Sequence, residues 1–218
     1  MSSIDSSPVA FNETHSPAIR IWHWTFFIVL TASLTTVFFG STLFKTRDNI
    51  GFVQTQLQDK GVTLSKDQAR AVAHGFSDKL WDLHTWIGYV LCGLLLSRFI
   101  IEIAQPGEEK LRHRMRNALG YRPDDAGGKA DRKHYILVKS TYLAFYTLFT
   151  VMALTGLGLA FEDTPPFKQW HRTLGQIHSF VQYFIYAFIL LHLVGVVRAD
   201  LGKRRGIVSG MIHGKKRY

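Results

Sequence analysis

The sequence predicts an all-α fold, an integral membrane four-helix bundle, and three observations predict it. The first is a set of long charge-free runs: 24 residues between Arg20 and Lys45, 22 between Lys139 and Glu162, and 25 between Arg172 and Arg198. The second is a shorter run of 15, Leu83 to Ser97, which continues past Arg98 as Phe99-Ile100-Ile101. Uncharged, mostly apolar runs of about 18 residues or more are long enough to cross the hydrocarbon core as helices. The third is the length of all four, which is too great for tilted barrel strands. Backbone in lipid must satisfy its own hydrogen bonds, so helices remain as the spanning structure. Composition alone conceals this. With 47% apolar and 19% charged residues the chain resembles a soluble protein, but its charges are gathered between the runs.

Residues 1–18 are polar, with Ser6, Ser7 and Pro8 marking irregular chain. The first span covers about 19–43. Met1 to Thr14 lacks a positive leader region, and no small-residue cleavage site follows the apolar run, so the span reads as retained. A long polar connection, 44–78, follows. Inside it, Ser65 to Ala73 is a short helix candidate with Ser65 as its cap. The second span covers about 79–103. The connection 104–134 contains Pro106-Gly107, a basic burst, and Asp124-Asp125-Ala126-Gly127-Gly128. The third span, about 135–161, is broken by Asp163-Thr164-Pro165-Pro166. Phe167 to Arg172 then reads as an amphipathic interfacial turn with Trp170 at headgroup depth. The fourth span covers about 174–199 and leads into a short basic tail from Asp200. The whole, 1–218, reads as a single membrane domain.

The charges orient the spans. The 104–134 loop holds Lys110, Arg112, Arg114, Arg116, Arg122, Lys129, Arg132 and Lys133, and the tail holds Lys203, Arg204, Arg205, Lys215, Lys216 and Arg217. The connection 44–78 is nearly balanced, and 162–172 carries Lys168 and Arg172 against Glu162 and Asp163. Basic residues collect on the cytoplasmic side, so 104–134 and both termini are expected in the cytoplasm and 44–78 on the outer side of the membrane. The same rule accounts for the net charge of +10 without nucleic acid. The lone cysteine, Cys92, excludes a disulfide framework, a CxxC redox pair and covalent CxxCH haem attachment.

Ionisable or metal-binding side chains in a bilayer are costly and usually have a task. His23, His84, His178 and His192 lie within or at the mouths of the apolar runs. With the orientation above they sort into two depths, His84 with His178 on the outer side and His23 with His192 on the inner side. His178 and His192 are 14 residues apart, which on a helix leaves them about 40° apart in azimuth and roughly 21 Å apart in height. Neutral imidazole is a natural axial ligand for haem iron, and two imidazoles leave no open position, which suits electron transfer. Two haem b groups, each held by two histidines without covalent links, would then stack across the bilayer. Gly88, Gly175 and Gly195 lie three or four residues from a histidine, on its helix face, where a porphyrin needs small neighbours. Arg20 and Arg198 are candidate propionate partners at the inner level, with Arg172 and, more weakly, Lys79 at the outer. A blander reading stays open, since an intramembrane histidine can simply hydrogen-bond between helices and glycine is common in membrane spans. His171, seven residues before His178, shares its face and could replace it if the fourth span starts earlier. His15, His74, His113, His134 and His213 read as surface residues.

Arg20-Ile21-Trp22-His23-Trp24 opening span one, His84-Thr85-Trp86-Ile87-Gly88 opening span two, and His178 with His192 in span four make the chain resemble the bacterial cytochrome b561 family. It resembles in particular the cytochrome b subunits of membrane-bound nickel-iron hydrogenases, over about residues 15–200. The resemblance implies four helices carrying two b haems, with ligands from helices one, two and four and none from helix three. Span three indeed lacks histidine from Lys139 to Phe161. It further implies transfer of electrons between a periplasmic partner, such as a hydrogenase small subunit or a multihaem cytochrome c, and the membrane quinone pool. The expected route enters at the His84 and His178 level, crosses to the His23 and His192 level, and ends on quinone near the inner surface, with the reverse direction left open; Ser97, Arg98 and Arg198 are the polar groups at that depth, and Arg98 reads equally as a side chain snorkelling at the interface. The connection 44–78 is longer than the smallest members need and could dock a partner or cover the outer haem. A free-standing quinone oxidoreductase of the same family and a non-redox membrane scaffold or transporter accessory subunit are the alternatives.

Overall fold

The structure, a computed structural model, describes residues 16–107, 110–202 and 206–214. Ser6, Ser7, Pro8, His15 and the tail cations Lys203, Arg204, Arg205, Lys215, Lys216 and Arg217 lie outside the described residues. The described elements are all helical: α1 (Pro17–Ser41), α2 (Thr46–Gln58), α3 (Lys66–Ala104), α4 (Leu111–Gly120), α5 (Ala126–Ala160), α6 (Pro165–Lys168), α7 (His171–Leu201) and α8 (Ile207–His213). Four of them, α1, α3, α5 and α7, are long and apolar enough to cross a membrane, and they carry the four expected spans in order. Large apolar side chains stand exposed along them, among them Ile28, Phe38, Leu96, Leu154, Phe180 and Leu190. Such a surface suits lipid and would aggregate in water.

The helix ends depart from the sequence reading in instructive ways. The short helix expected over Ser65 to Ala73 and the second span are one 39-residue helix, α3, about 58 Å long at 1.5 Å per residue. That exceeds a hydrocarbon core of roughly 30 Å, so α3 projects from it. Only Gly75 interrupts the helix formers between Ala73 and Lys79, and one glycine weakens a helix without ending it. Ser65 does cap α3. Its Oγ accepts from the Gln68 amide at 3.2 Å while Gln68 Oε1 accepts from the Ser65 amide at 2.9 Å, the reciprocal pair of a capping box. The fifth helix starts at Ala126, where the Asp125 carboxylate accepts from the Gly128 amide at 2.7 Å. The seventh starts at His171, ahead of the expected Leu174. The turn Phe167 to Arg172 holds the end of α6 and the start of α7.

Contacts divide the chain into two units. The second unit is Trp24–Leu94: most of α1, all of α2 and the first part of α3. The helix α2, which hydropathy alone left inside a polar connection, buries Ile50 and Val53 against Ala69 and Ala73 of α3, with Leu57 and Leu64 around them. Two alanines on α3 let α2 approach closely. The Asn49 side chain donates to the carbonyls of Leu43 and Lys45 at 2.7 and 3.0 Å, fastening α2 to the end of α1. Gly40 lets α1 meet Trp81, for a Cβ there would come within 3.1 Å of the indole.

The first unit is Met1–His23 with Leu95–Tyr218. Its centre is the α5–α7 hairpin, which buries Phe149 and Thr155 of α5 and Val181 and Ile185 of α7. At its turn, a Cβ on Gly158 would lie 2.7 Å from Leu174 Cδ1, so a larger residue there would have to shift that side chain. The Arg132 guanidinium donates to the carbonyls of Ala118 and Leu119, both at 2.9 Å, and so caps the end of α4. Asp200 Oδ1 accepts from the amides of Gly206 and Val208 at the start of α8, at 3.0 and 3.4 Å.

Candidate functional site

Two of the four histidines singled out by the sequence meet within the first unit. His23, on the first turns of α1, and His192, on α7, lie with ring centroids 6.2 Å apart and planes at 74°. Two imidazoles bound to opposite sides of one first-row metal ion put their centroids roughly 6 Å apart, since each metal–nitrogen bond is about 2 Å. The separation therefore fits an iron between the rings. His192 also stacks on Phe188, one turn earlier in α7, at 6.0 Å and 7°.

His178, also in the first unit, faces α5. Its Nδ1 is 3.0 Å from Thr155 Oγ1. The Thr155 hydroxyl donates its own proton to the Val151 carbonyl at 2.8 Å, with Met152 O at 3.1 Å. A hydroxyl has one proton, so Thr155 Oγ1 can only accept from the imidazole. The contact thus fits a ring with its proton on Nδ1, a tautomer that would keep the Nε2 lone pair for a metal. The ring fits against α5 because Gly156 is there: a Cβ on that residue would stand 3.2 Å from His178 Cε1.

The second unit repeats this arrangement around His84. Thr36 Oγ1, on α1, is 2.9 Å from His84 Nδ1 on α3, with Ser33 Oγ at 3.5 Å. The Thr36 hydroxyl donates to the Ser33 carbonyl at 2.6 Å, so the same tautomer, with the Nδ1 proton given to Thr36 Oγ1, fits His84. Trp81 packs edge-on against the ring at 5.6 Å. A neutral hydroxyl fixes the ring's tautomer and direction as a carboxylate would, without adding a charge. In both units the hydroxyl comes from a different helix than its histidine.

A Cβ on Gly88 or Gly195 would meet no atom of the described residues within 4 Å, whereas one on Gly175 would touch Leu159 at 4.0 Å. Arg20 NH1 donates to the Ile212 carbonyl of α8 at 3.2 Å, and its buried Nε has no partner among the described residues. Arg198, in the last turn of α7, and Arg172 and Lys79 are exposed. His171 pairs through Nδ1 with the Glu162 carboxylate at the start of α7. His74 pairs with Asp78 at 2.6 Å and is exposed, as are His134 and His213. Among the described residues no three or more His, Cys, Asp or Glu side chains gather as a metal cluster. A porphyrin supplies four iron ligands itself, so two histidines complete its set.

The residues that sequence reasoning missed are Thr36, Thr155 and Gly156. Each acts across a helix–helix contact, which no spacing along one helix records. The family model for prokaryotic cytochrome b561 matches residues 14–214. No curated protein and no solved structure matches the chain.

Proposed function

The chain belongs to the prokaryotic cytochrome b561 family, and from that membership we propose that it is a dihaem membrane subunit passing electrons between a periplasmic redox partner and the quinone pool. The observation that carries the reading is the approach of His23 and His192 from helices at opposite ends of the chain, at a separation that fits one iron. These two would hold the inner haem, and His84 and His178 the outer. Haem b supplies reversible one-electron iron chemistry when bound.

The residues of the chain have defined tasks in this reading. His23, His84, His178 and His192 would hold the haems through neutral imidazoles, two to each group, a ligand set that suits electron transfer. Thr36 and Thr155 hold His84 and His178 in one tautomer. Gly88 and Gly195 leave their helix faces without a side chain at ligand height. Arg198 stands at the inner end of α7 for a propionate. The cytoplasmic placement of both termini rests on the basic residues of 104–134 and the tail. The projecting part of α3, with α2 folded on it, forms an ordered periplasmic element for a partner to grip.

The test is a reduced-minus-oxidised spectrum and a haem count on the purified full chain. Two haem b per chain, one lost on replacing His84 or His178 and the other on replacing His23 or His192, is the expected result. A folded but colourless protein would favour a membrane scaffold.

A further inference from the structure

One polar cluster inside the spans of the first unit takes no part in holding the histidines. Arg98 of α3 donates from Nε to the Tyr146 hydroxyl of α5 at 3.1 Å and from NH2 to Glu102 Oε2 at 3.1 Å. Glu102 Oε1 accepts from the Leu111 amide at 2.6 Å. The guanidinium carbon lies 5.5 Å from the Tyr146 ring centroid. Counting protons exposes an imbalance. Arg98 NH1 is buried and has no partner among the described residues. The Tyr146 oxygen is occupied as an acceptor, so its own proton remains to be donated. Each Glu102 oxygen takes one of these donors, and no hydrogen bond joins its remaining lone pairs to Arg98 NH1 or to the Tyr146 proton. The cluster thus holds two donors with no acceptor in reach among the described residues, and buried donors are nearly always matched.

The surroundings define the missing acceptor. The Arg98–Glu102 pair is neutral as a unit, which favours a neutral carbonyl oxygen over an anion. Phe99 and Phe145 lie 6.3 and 5.9 Å from the Tyr146 ring. Phe145 stacks on Phe188 at 4.5 Å, and Phe188 stacks on His192. An unbroken series of rings therefore joins the donors to the inner histidine. Phe99 stays 37% exposed, on a surface suited to lipid, so an apolar ligand can reach the cluster from the bilayer. We propose that Arg98 and Tyr146 bind a carbonyl oxygen of a quinone headgroup. This assignment rests on the electron-conduit reading and adds to it the residues that select the acceptor.

The experiment is calorimetric titration of the haem-loaded full chain in detergent with decylubiquinone, using wild type, Tyr146→Phe and Arg98→Lys. Each variant removes or displaces one donor, and each is expected to bind roughly three- to ten-fold more weakly, the loss of one hydrogen bond, with both haem bands intact. Tyr146→Phe removes a single oxygen and decides the matter if Arg98→Lys fails to fold. Unchanged affinity in a haem-loaded Tyr146→Phe protein overturns the assignment and leaves the conduit reading standing. A co-purified phospholipid that decylubiquinone does not displace also overturns it, by giving the donors to a lipid headgroup. A wild-type protein without haem overturns both.

Discussion

His23 and His192 are 169 positions apart in the chain, yet their ring centroids lie 6.2 Å apart with the ring planes at 74°. Imidazoles at that angle on one iron would leave the two d orbitals that interact with them almost equal in energy. If this pair holds a haem as proposed, its ferric form is expected to give a strongly anisotropic low-spin EPR signal with one very large g value. Its disappearance in His192→Ala assigns it. A spectrum holding only the rhombic signals of parallel imidazoles counts against the pairing.

Thr36 and Thr155 lead to a second expectation. Replacing either with valine keeps the shape and deletes the acceptor for Nδ1. Losing a partner of this kind typically weakens metal binding about 10- to 100-fold. Thr36→Val and Thr155→Val are each expected to lower retention of the outer haem, read by haem titration, and nitrogen NMR of the haem-free protein should show His84 or His178 no longer fixed in one tautomer. Serine at either position should restore both. Valine variants with unchanged haem affinity and tautomer would leave the threonines with packing alone.

Gly156 allows a sharp comparison with Gly51. A Cβ on Gly156 meets His178 Cε1 at 3.2 Å, while one on Gly51, in α2, meets nothing within 4 Å. Gly156→Ala must move the ring or the helix, at a cost of about 1–3 kcal/mol, and is expected to lower the melting temperature and shift the outer haem band. Gly51→Ala relieves backbone entropy and is expected to stabilise by about 0.4–1 kcal/mol. Equal melting temperatures for the two variants would refute the close contact.

Arg20 was expected to serve an inner propionate, yet one of its donors goes to the Ile212 carbonyl. Gly214, at φ 76°, closes α8 beside it in a left-handed conformation that only glycine adopts without strain. A Cβ there would also lie 2.6 Å from Arg20 NH1. Arg20→Ala is expected to release α8, seen as faster amide exchange over residues 207–214, with α5 unchanged. Unaltered exchange would show that the bond contributes nothing to docking α8.

The four spans were legible because charge-free runs report directly on the solvent a helix meets. The histidines were legible because an imidazole in such a run stands out. Helix boundaries were less so: α3 and α5 continue into polar sequence, where hydropathy falls while the backbone ladder persists. The polar helix α2 depends on a tertiary contact, Ile50 and Val53 on Ala69 and Ala73. Thr36 and Thr155 look like any hydroxyl bonding back to its own helix, and only the neighbouring helix reveals their second partner.

The most direct test of the account is the haem count in His23→Ala, His192→Ala and the double variant, each purified as the full chain. If the two side chains share one iron, each single variant keeps one haem b, and the double variant also keeps one. Two haems retained in either single variant, or a double variant that loses more than the singles, would contradict the shared site.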